Sequence, residues 1–324
     1  MTHIDRALRS NLKLRHLQLI VALDEFRHLG RTAELLSVSQ PAVSKMLNDV
    51  ESMLGLVLFV RSARGTEPTT AGESLVHFSR SVLAQYERTR DEIAAVANGT
   101  TGRTRVGVMA VAMPLLLTRA IALLKARSQA ATVLVEEGDL THLLPKLRSG
   151  ELDVFVGRLE PGYASPDLMT TALYPERMVA VVMPDHPLTD VRAPTWAHVA
   201  KLPCVVPPPW ASLRVKLEQQ FYRYGLEPPV DLIETSSYLS ILTFVRDRGA
   251  VGFLAQSVAK KWEEDGLLRI VRMALELDLP AVGIITMRER RPSPATEQLI
   301  LCLKTVADVR AVKKRARKAA QKKG

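Results

Sequence analysis

Apolar residues in the first seventy positions recur at helical spacing. Leu14, Leu17, Ile20, Val21 and Leu23 make one face of a predicted helix. A shorter helix follows over about 29–36, with Ala33 small enough for a close helix crossing. Ser37-Val38-Ser39 is a turn, and a third helix opens at Ser39-Gln40-Pro41. Ser39 is a suitable cap there, and Pro41 is tolerated because the first helical turn has no use for its missing N–H. Val43, Leu47, Val50 and Leu54 face inward, while Gln40, Ser44, Lys45 and Asn48 fall on the opposite side. Gly55 ends the helix. The segments 58–61, 62–65 and 66–69 then read as strand, tip and strand of a small hairpin.

Thr70-Ala71-Gly72-Glu73 has capping-box spacing and opens one continuous helix over 71–98. Leu75, Phe78, Val82, Tyr86, Thr89, Ile93 and Val96 alternate three- and four-residue steps along it, a coiled-coil-like seam. A helix of that length spans about 40 Å at 1.5 Å per residue. It cannot bury the seam within a small hairpin-bearing domain, so pairing with a second chain is expected.

Gly99-Thr100-Thr101-Gly102 is a breaker, a hinge over 99–102. Beyond it, short apolar runs alternate with helical patterns. Strands are predicted at 105–108, 132–135, 153–156, 178–183, 204–206, 230–233, 251–254 and 282–287. Helices fit at 115–127, 140–148, 213–224, 238–246 and 257–264, with another after Ser293. The alternation implies a parallel, doubly wound α/β architecture over 103–312. The end, 313–324, is a basic, low-complexity stretch that reads as a disordered tail.

The chain has 324 residues and a formal charge of +10. The excess sits at the end: from Lys304 onward there are nine basic residues against one acid, whereas the first 70 residues hold nine basic and seven acidic ones. Bulk charge therefore does not locate a nucleic-acid site, and the local pattern has to. Cys204 and Cys302 are the only cysteines. They form neither a disulfide framework nor a zinc spacing. The start, Met1 to Arg15, lacks an apolar h-region, and no apolar run approaches a membrane span. A cytoplasmic protein without metal or cofactor is expected.

A helix whose N-terminal turns carry Gln40, Ser44, Lys45 and Asn48 can enter the major groove and reach base edges and phosphates. A hairpin bearing Arg61 and Arg64 suits phosphate or minor-groove contact. Candidate DNA contacts are Arg31 on the second helix, Ser39, Gln40, Pro41, Ser44, Lys45 and Asn48 on the third, and Arg61 and Arg64 on the wing.

The run from Leu35-Leu36-Ser37-Val38-Ser39-Gln40-Pro41-Ala42-Val43-Ser44, followed by Leu54-Gly55, Leu58-Phe59-Val60-Arg61 and Thr69-Thr70-Ala71-Gly72, resembles the DNA-binding segment of LysR-type transcriptional regulators. The resemblance implies an α/β chain in five parts. These are a winged helix-turn-helix (1–70), a linker and dimerisation helix (71–98), the hinge, a two-lobed effector domain like type II periplasmic binding proteins (103–312), and the tail. It implies sequence-specific transcriptional regulation under a small-molecule effector. Its partners would be double-stranded operator DNA, that effector, RNA polymerase, and further copies of the chain as homodimer or homotetramer, with no membrane.

In that fold the second lobe is inserted between about Glu160 and Leu268, with the segment from Gly157 to Pro161 as one crossing. Ligands of open α/β sheets sit at strand carboxyl ends beside helix N-termini. The candidate effector contacts are Ala110, Val111, Met113, Arg158 and Phe253, and the loop residues Pro208, Ser212, Arg214, Thr235, Ser236 and Ser237. Arg158 and Arg214 can hold a carboxylate bidentately. The family often has Ser or Thr in the loop after the first strand. Here it is Ala110-Val111-Ala112-Met113, which suits a more apolar ligand. The run from Val282-Gly283-Ile284 to Arg291-Pro292-Ser293-Pro294, with Pro207-Pro208-Pro209, most resembles the branch of galactose-binding-protein and aromatic-acid pathway regulators, implying a carboxylate or sugar-derived effector. A small-molecule-binding protein or an enzyme using the same cleft remain alternatives. Against an enzyme, there is no G-x-S-x-G elbow, phosphate loop or H-E-x-x-H motif.

Overall fold

The computed structural model describes residues 4, 7–62, 65–97, 102–209, 211–275 and 277–321. The first unit holds α1 (Leu14–Phe26), α2 (Leu29–Leu35), α3 (Gln40–Leu54), and a hairpin of β1 (Phe59–Ser62) and β2 (Gly65–Pro68). Its core is Leu19, Ile20, Leu23, Leu29, Ala33, Val43, Leu47, Val50 and Leu54, closed by Leu58, Phe59, Leu75 and Val76. On α1 the buried set is wider than the predicted stripe. Leu19 and Ala22 are buried, while Leu14 and Val21 are only half-buried. The helix is covered on more than one side, because it packs against α2, α3 and the long helix that follows.

That helix, α4 (Thr70–Ala97), has 28 residues. Its cap is Thr69, one residue earlier than the spacing predicted: Thr69 Oγ1 accepts the Gly72 N–H at 3.1 Å and also donates to Val57 O at 2.8 Å. The hydroxyl is thereby shared between the helix start and the wing, a role Thr70 on the exposed side cannot take. Of the hinge residues, Gly99, Thr100 and Thr101 lie outside the described residues, and Gly102 leads directly into the next strand.

The remaining chain forms β3 (Arg103–Val108), α5 (Thr118–Arg127), β4 (Thr132–Glu137), α6 (Leu140–Ser149), β5 (Val154–Arg158), β6 (Leu168–Val182), α7 (Trp196–Val199), β7 (Cys204–Val206), α8 (Ser212–Arg223), β8 (Leu232–Glu234), α9 (Tyr238–Arg248), β9 (Val251–Ala255), α10 (Gln256–Glu264), β10 (Arg269–Ile270), β11 (Asp278–Met287) and α11 (Pro294–Gln321). Strand order is β4-β3-β5-β11-β6-β9-β7-β8, with β10 beside β6.

The sheet is mixed rather than all-parallel. β3, β4 and β5 run parallel in one lobe, and β7, β8 and β9 in the other. The two long strands β6 and β11 are antiparallel to their neighbours and pass through both lobes. They are the crossings. The segment from Gly157 to Pro161 stays in the first lobe, where Leu159 N donates to Ala281 O at 2.9 Å. The first half of β6 carries Thr170, Thr171 and Pro175, which hid it from a search for apolar runs. Pro175 has no N–H to give, and the β6–β11 ladder is irregular at that point, between Leu279 and Val282.

The stretch 313–321, expected to be disordered, continues α11 as far as Gln321. It is built of Ala, Lys, Arg and Gln, which are strong helix formers, and has no breaker before Gly324. Among the described residues, no helix is long and apolar enough to cross a membrane.

Candidate DNA-reading face and effector cleft

The third helix presents its polar side outward because its other side is locked. Val43, Leu47, Val50 and Leu54 are buried, Ser39 Oγ caps Ala42 N–H at 3.4 Å, and Gly55 closes the far end in the left-handed conformation. Gln40, Pro41, Lys45 and Asn48 are therefore exposed, with Ser44 half-buried between them. Arg31 and Ser39 are exposed beside this row. On the wing, Arg61 reaches across to the helix, its Nη2 lying 3.4 Å from Ser44 Oγ. Arg64 lies outside the described residues. All the other predicted DNA contacts share one surface patch or its margin.

Two supports of this patch had no signal in periodicity. Glu51 Oε1, at the end of α3, accepts Leu58 N–H at 2.7 Å and Phe59 N–H at 3.2 Å, fixing the wing against the reading helix. His28 Nδ1 accepts Gly30 N–H at 3.0 Å and caps α2. Glu51 lies seven residues before Leu58, and only the folded wing shows that it serves the Leu58 and Phe59 amides.

In the first lobe, Ala110 and Met113 are half-buried in the loop beyond β3, and Arg158 ends β5. Val111 is buried in the core. In the second lobe, Pro208 follows β7, and Thr235, Ser236 and Ser237 follow β8. Thr235 Oγ1 accepts Ser237 N–H at 3.1 Å, and Ser237 Oγ caps α9 through Ser240 N–H at 3.3 Å. Both sets lie at carboxyl ends of parallel strands. Phe253 does not face the opening: it is buried and stacks on Trp196 at 6.2 Å. The side chain of Ser212 lies outside the described residues.

Neither arginine is a free guanidinium. Arg158 Nε donates to Glu160 Oε1 at 2.9 Å. Arg214 is held by Glu218 at 2.5 Å, by Glu234 at 2.6 Å and by Pro207 O at 3.1 Å. Arg214 thus ties α8 to the end of β8. Burial pushes the Tyr238 phenol, at the start of α9, up to about 12, and the charge of Arg158 pulls it the other way. At the crossing itself, Glu176 Oε1 accepts Ser257 N–H of α10 at 3.3 Å. Among the described residues no group of His, Cys, Asp and Glu is arranged to hold a metal.

Comparison with known proteins places both halves. Residues 14–73 match the bacterial regulatory helix-turn-helix protein, lysR family, and residues 97–308 match the LysR substrate binding domain. The HTH-type transcriptional regulator GbpR of Azospirillum brasilense is 31% identical over 94% of this chain and 89% of its own length. PcaQ of Agrobacterium fabrum is 26% identical over 91% and 95%. Among solved structures, the LysR family regulator CbnR superposes with a TM-score of 0.69 at 20% identity, covering 91% of this chain and 99% of its own. CbnR with its target DNA gives 0.68 at the same identity, over 91% and 100%.

The class these matches define is a DNA-binding transcriptional regulator with an effector-binding domain, not an enzyme. The chain belongs to the LysR family.

Proposed function

We propose that this regulator reads a two-fold operator as a homodimer or homotetramer, and that a small effector bound between the two lobes sets its action on RNA polymerase in the cytoplasm. The observation that carries the reading is the row Gln40, Ser44, Lys45 and Asn48, displayed together with Arg61 of the wing. The second copy is supported by α4, which leaves Phe78, Tyr86, Ile93 and Val96 exposed along its seam. A reducing compartment accords with two buried, unpaired cysteines.

The proposed effector contacts are Ala110, Met113 and Arg158 in one lobe and Pro208, Thr235, Ser236 and Ser237 in the other. Arg158 with Glu160 offers a donor and an acceptor side by side. That pair suits a carboxylate or sugar-derived metabolite carrying hydroxyls as well as negative charge. A ligand touching both lobes binds their closed and open arrangements unequally, which is what a switch requires.

The test is sequencing of DNA fragments captured by the full-length protein, with and without a panel of sugar acids and aromatic carboxylates. One enriched motif with two-fold symmetry, whose occupancy responds to one metabolite, is expected. Arg158→Ala should keep the motif and lose the response. Absence of any enriched motif overturns the operator reading, and a full response in Arg158→Ala overturns the assignment of that residue.

A further inference from the structure

Among the described residues, ion pairs join the linker helix to the effector domain around the start of the strand that ends in the cleft. Arg80 and Arg88 stand two turns apart on the same side of α4. They meet the two acids of one short segment. Arg80 Nη1 lies 3.5 Å from Glu151 Oε2, and Arg88 Nη2 lies 2.6 Å from Asp153 Oδ1. The second pair is nearly dry, with side chains 9% and 5% exposed. Asp153 is also anchored within its own lobe, since its Oδ2 accepts Arg105 N–H at 2.7 Å. The Arg105 side chain returns to Asp91 of α4 at 2.6 Å. Arg88, Asp153, Arg105 and Asp91 thus close a ring between helix and lobe. Arg80 extends it to the DNA-binding unit, its Nη2 lying 3.1 Å from Asp24 Oδ2 on α1.

Asp153 is followed directly by β5. Val154, Phe155 and Val156 are 0% exposed, and the strand is hydrogen-bonded to β3 on one side and β11 on the other. Gly157 is flush with its surroundings: a Cβ there would come within 2.7 Å of Met109 and Phe155 side-chain atoms. Close-packed on every side, this strand moves as one piece or not at all. Its far end is Arg158, in the cleft.

We propose that β5 transmits the state of the effector cleft to the linker helix, Arg158 being its sensing end and the Asp153–Arg88 pair its delivering end. The proposal rests on the cleft being the effector site. Two features fit a joint with a second arrangement. Arg88 Nε is buried with no hydrogen-bond partner, so the present arrangement leaves one donor unsatisfied. A cavity of about 280 Å³ adjoins the ring, bordered by Ala95, Val96, Arg103 and Pro294, and leaves α4 room to shift.

Hydrogen exchange of the full-length protein tests this without any ligand. In Arg158→Ala, amides of residues 84–92 on α4 and of 150–154 should change their exchange rates at least threefold, while 204–206 in the second lobe stay unchanged. The change on α4 should vanish when Arg88→Gln, or separately the less buried Asp91→Asn, is added. Unaltered exchange on α4 in Arg158→Ala overturns the proposal. So does an equal change with the ring cut by either substitution, because the signal then travels elsewhere. Since no metabolite enters the experiment, such a failure leaves the effector reading to be judged by its own capture test.

Discussion

Arg61 of the wing and Ser44 of the reading helix are in hydrogen-bond contact at 3.4 Å, although seventeen residues apart in sequence. The contact sets the wing's cation beside the row proposed to face the groove, so in that reading one surface carries both base-reading and phosphate-holding groups. The two kinds of group predict different losses. Gln40→Ala and Ser44→Ala should reduce preference for the operator by about 1–3 kcal/mol per lost base contact, with little change on unrelated DNA. Arg61→Ala should weaken all DNA alike and flatten the dependence of affinity on salt. Binding isotherms on operator and scrambled duplex at two salt concentrations separate the outcomes.

Gly72 explains why the start of α4 can lie so close to the wing. A Cβ on it would fall 2.0 Å from Leu58 O, a backbone atom that cannot swing aside. Gly72→Ala should therefore destabilise the N-terminal unit by about 1–3 kcal/mol, the usual cost of overpacking. Urea denaturation should show a lower midpoint, and wing-dependent DNA affinity should fall with it.

What was readable in the sequence was what repeats locally. The apolar positions of α3 and its Ser39 cap obey helical spacing and needed no structure. Arg214 reads in the sequence as a ligand for an effector carboxylate, and its i, i+4 pairing with Glu218 emerges only in the fold. Glu234, which also holds Arg214, lies on another element and gave no sign. Arg88 and Asp153 are 65 positions apart, and no periodicity connects them. The first half of the crossing strand β6 gives no strand signal, for a different reason. That half is laddered to β11 but largely open on its faces, so Thr170, Thr171 and Pro175 are allowed, and the apolar run begins only at Met178. At the basic end, charge density points to disorder, but the residue types favour helix and the stretch continues α11 to Gln321.

Acid should loosen the N-terminal unit through His16. Its Nδ1 accepts Lys13 N–H at 3.1 Å in the first turn of α1. Burial first, then the neighbouring charges of Arg15 and Lys13, hold its pKa below the ordinary 6.5. The unfolded chain then takes up the proton before the folded one does. The contribution of neutral His16 to stability is complete above pH 6.5 and is lost as pH falls from there toward the folded value. Urea midpoints of the parent should drop between about pH 7.5 and about pH 5.5, and His16→Gln should show a shallower drop. An equal drop in both would assign the acid sensitivity to other groups.

The last prediction concerns assembly. Tyr86 and Ile93 are 47% and 66% exposed, and with Phe78 and Val96 they make an apolar line along a helix whose opposite side is tied to lobe and DNA unit by Arg80 and Arg88. Solvent is a poor partner for that line, and a second α4 lying along it is a good one. Because both side chains are open in a single chain, Tyr86→Glu and Ile93→Glu together should leave each protomer folded. In a paired helix they withdraw apolar side chains worth roughly 1.5–3 kcal/mol each and set like charges against one another. Sedimentation should show the population shifting to single chains by well over tenfold in association constant, with far-ultraviolet circular dichroism unchanged. Operator affinity should fall in parallel, since two reading helices held about one DNA turn apart bind two half-sites together. An undisturbed oligomer in the double variant would move the interface off α4.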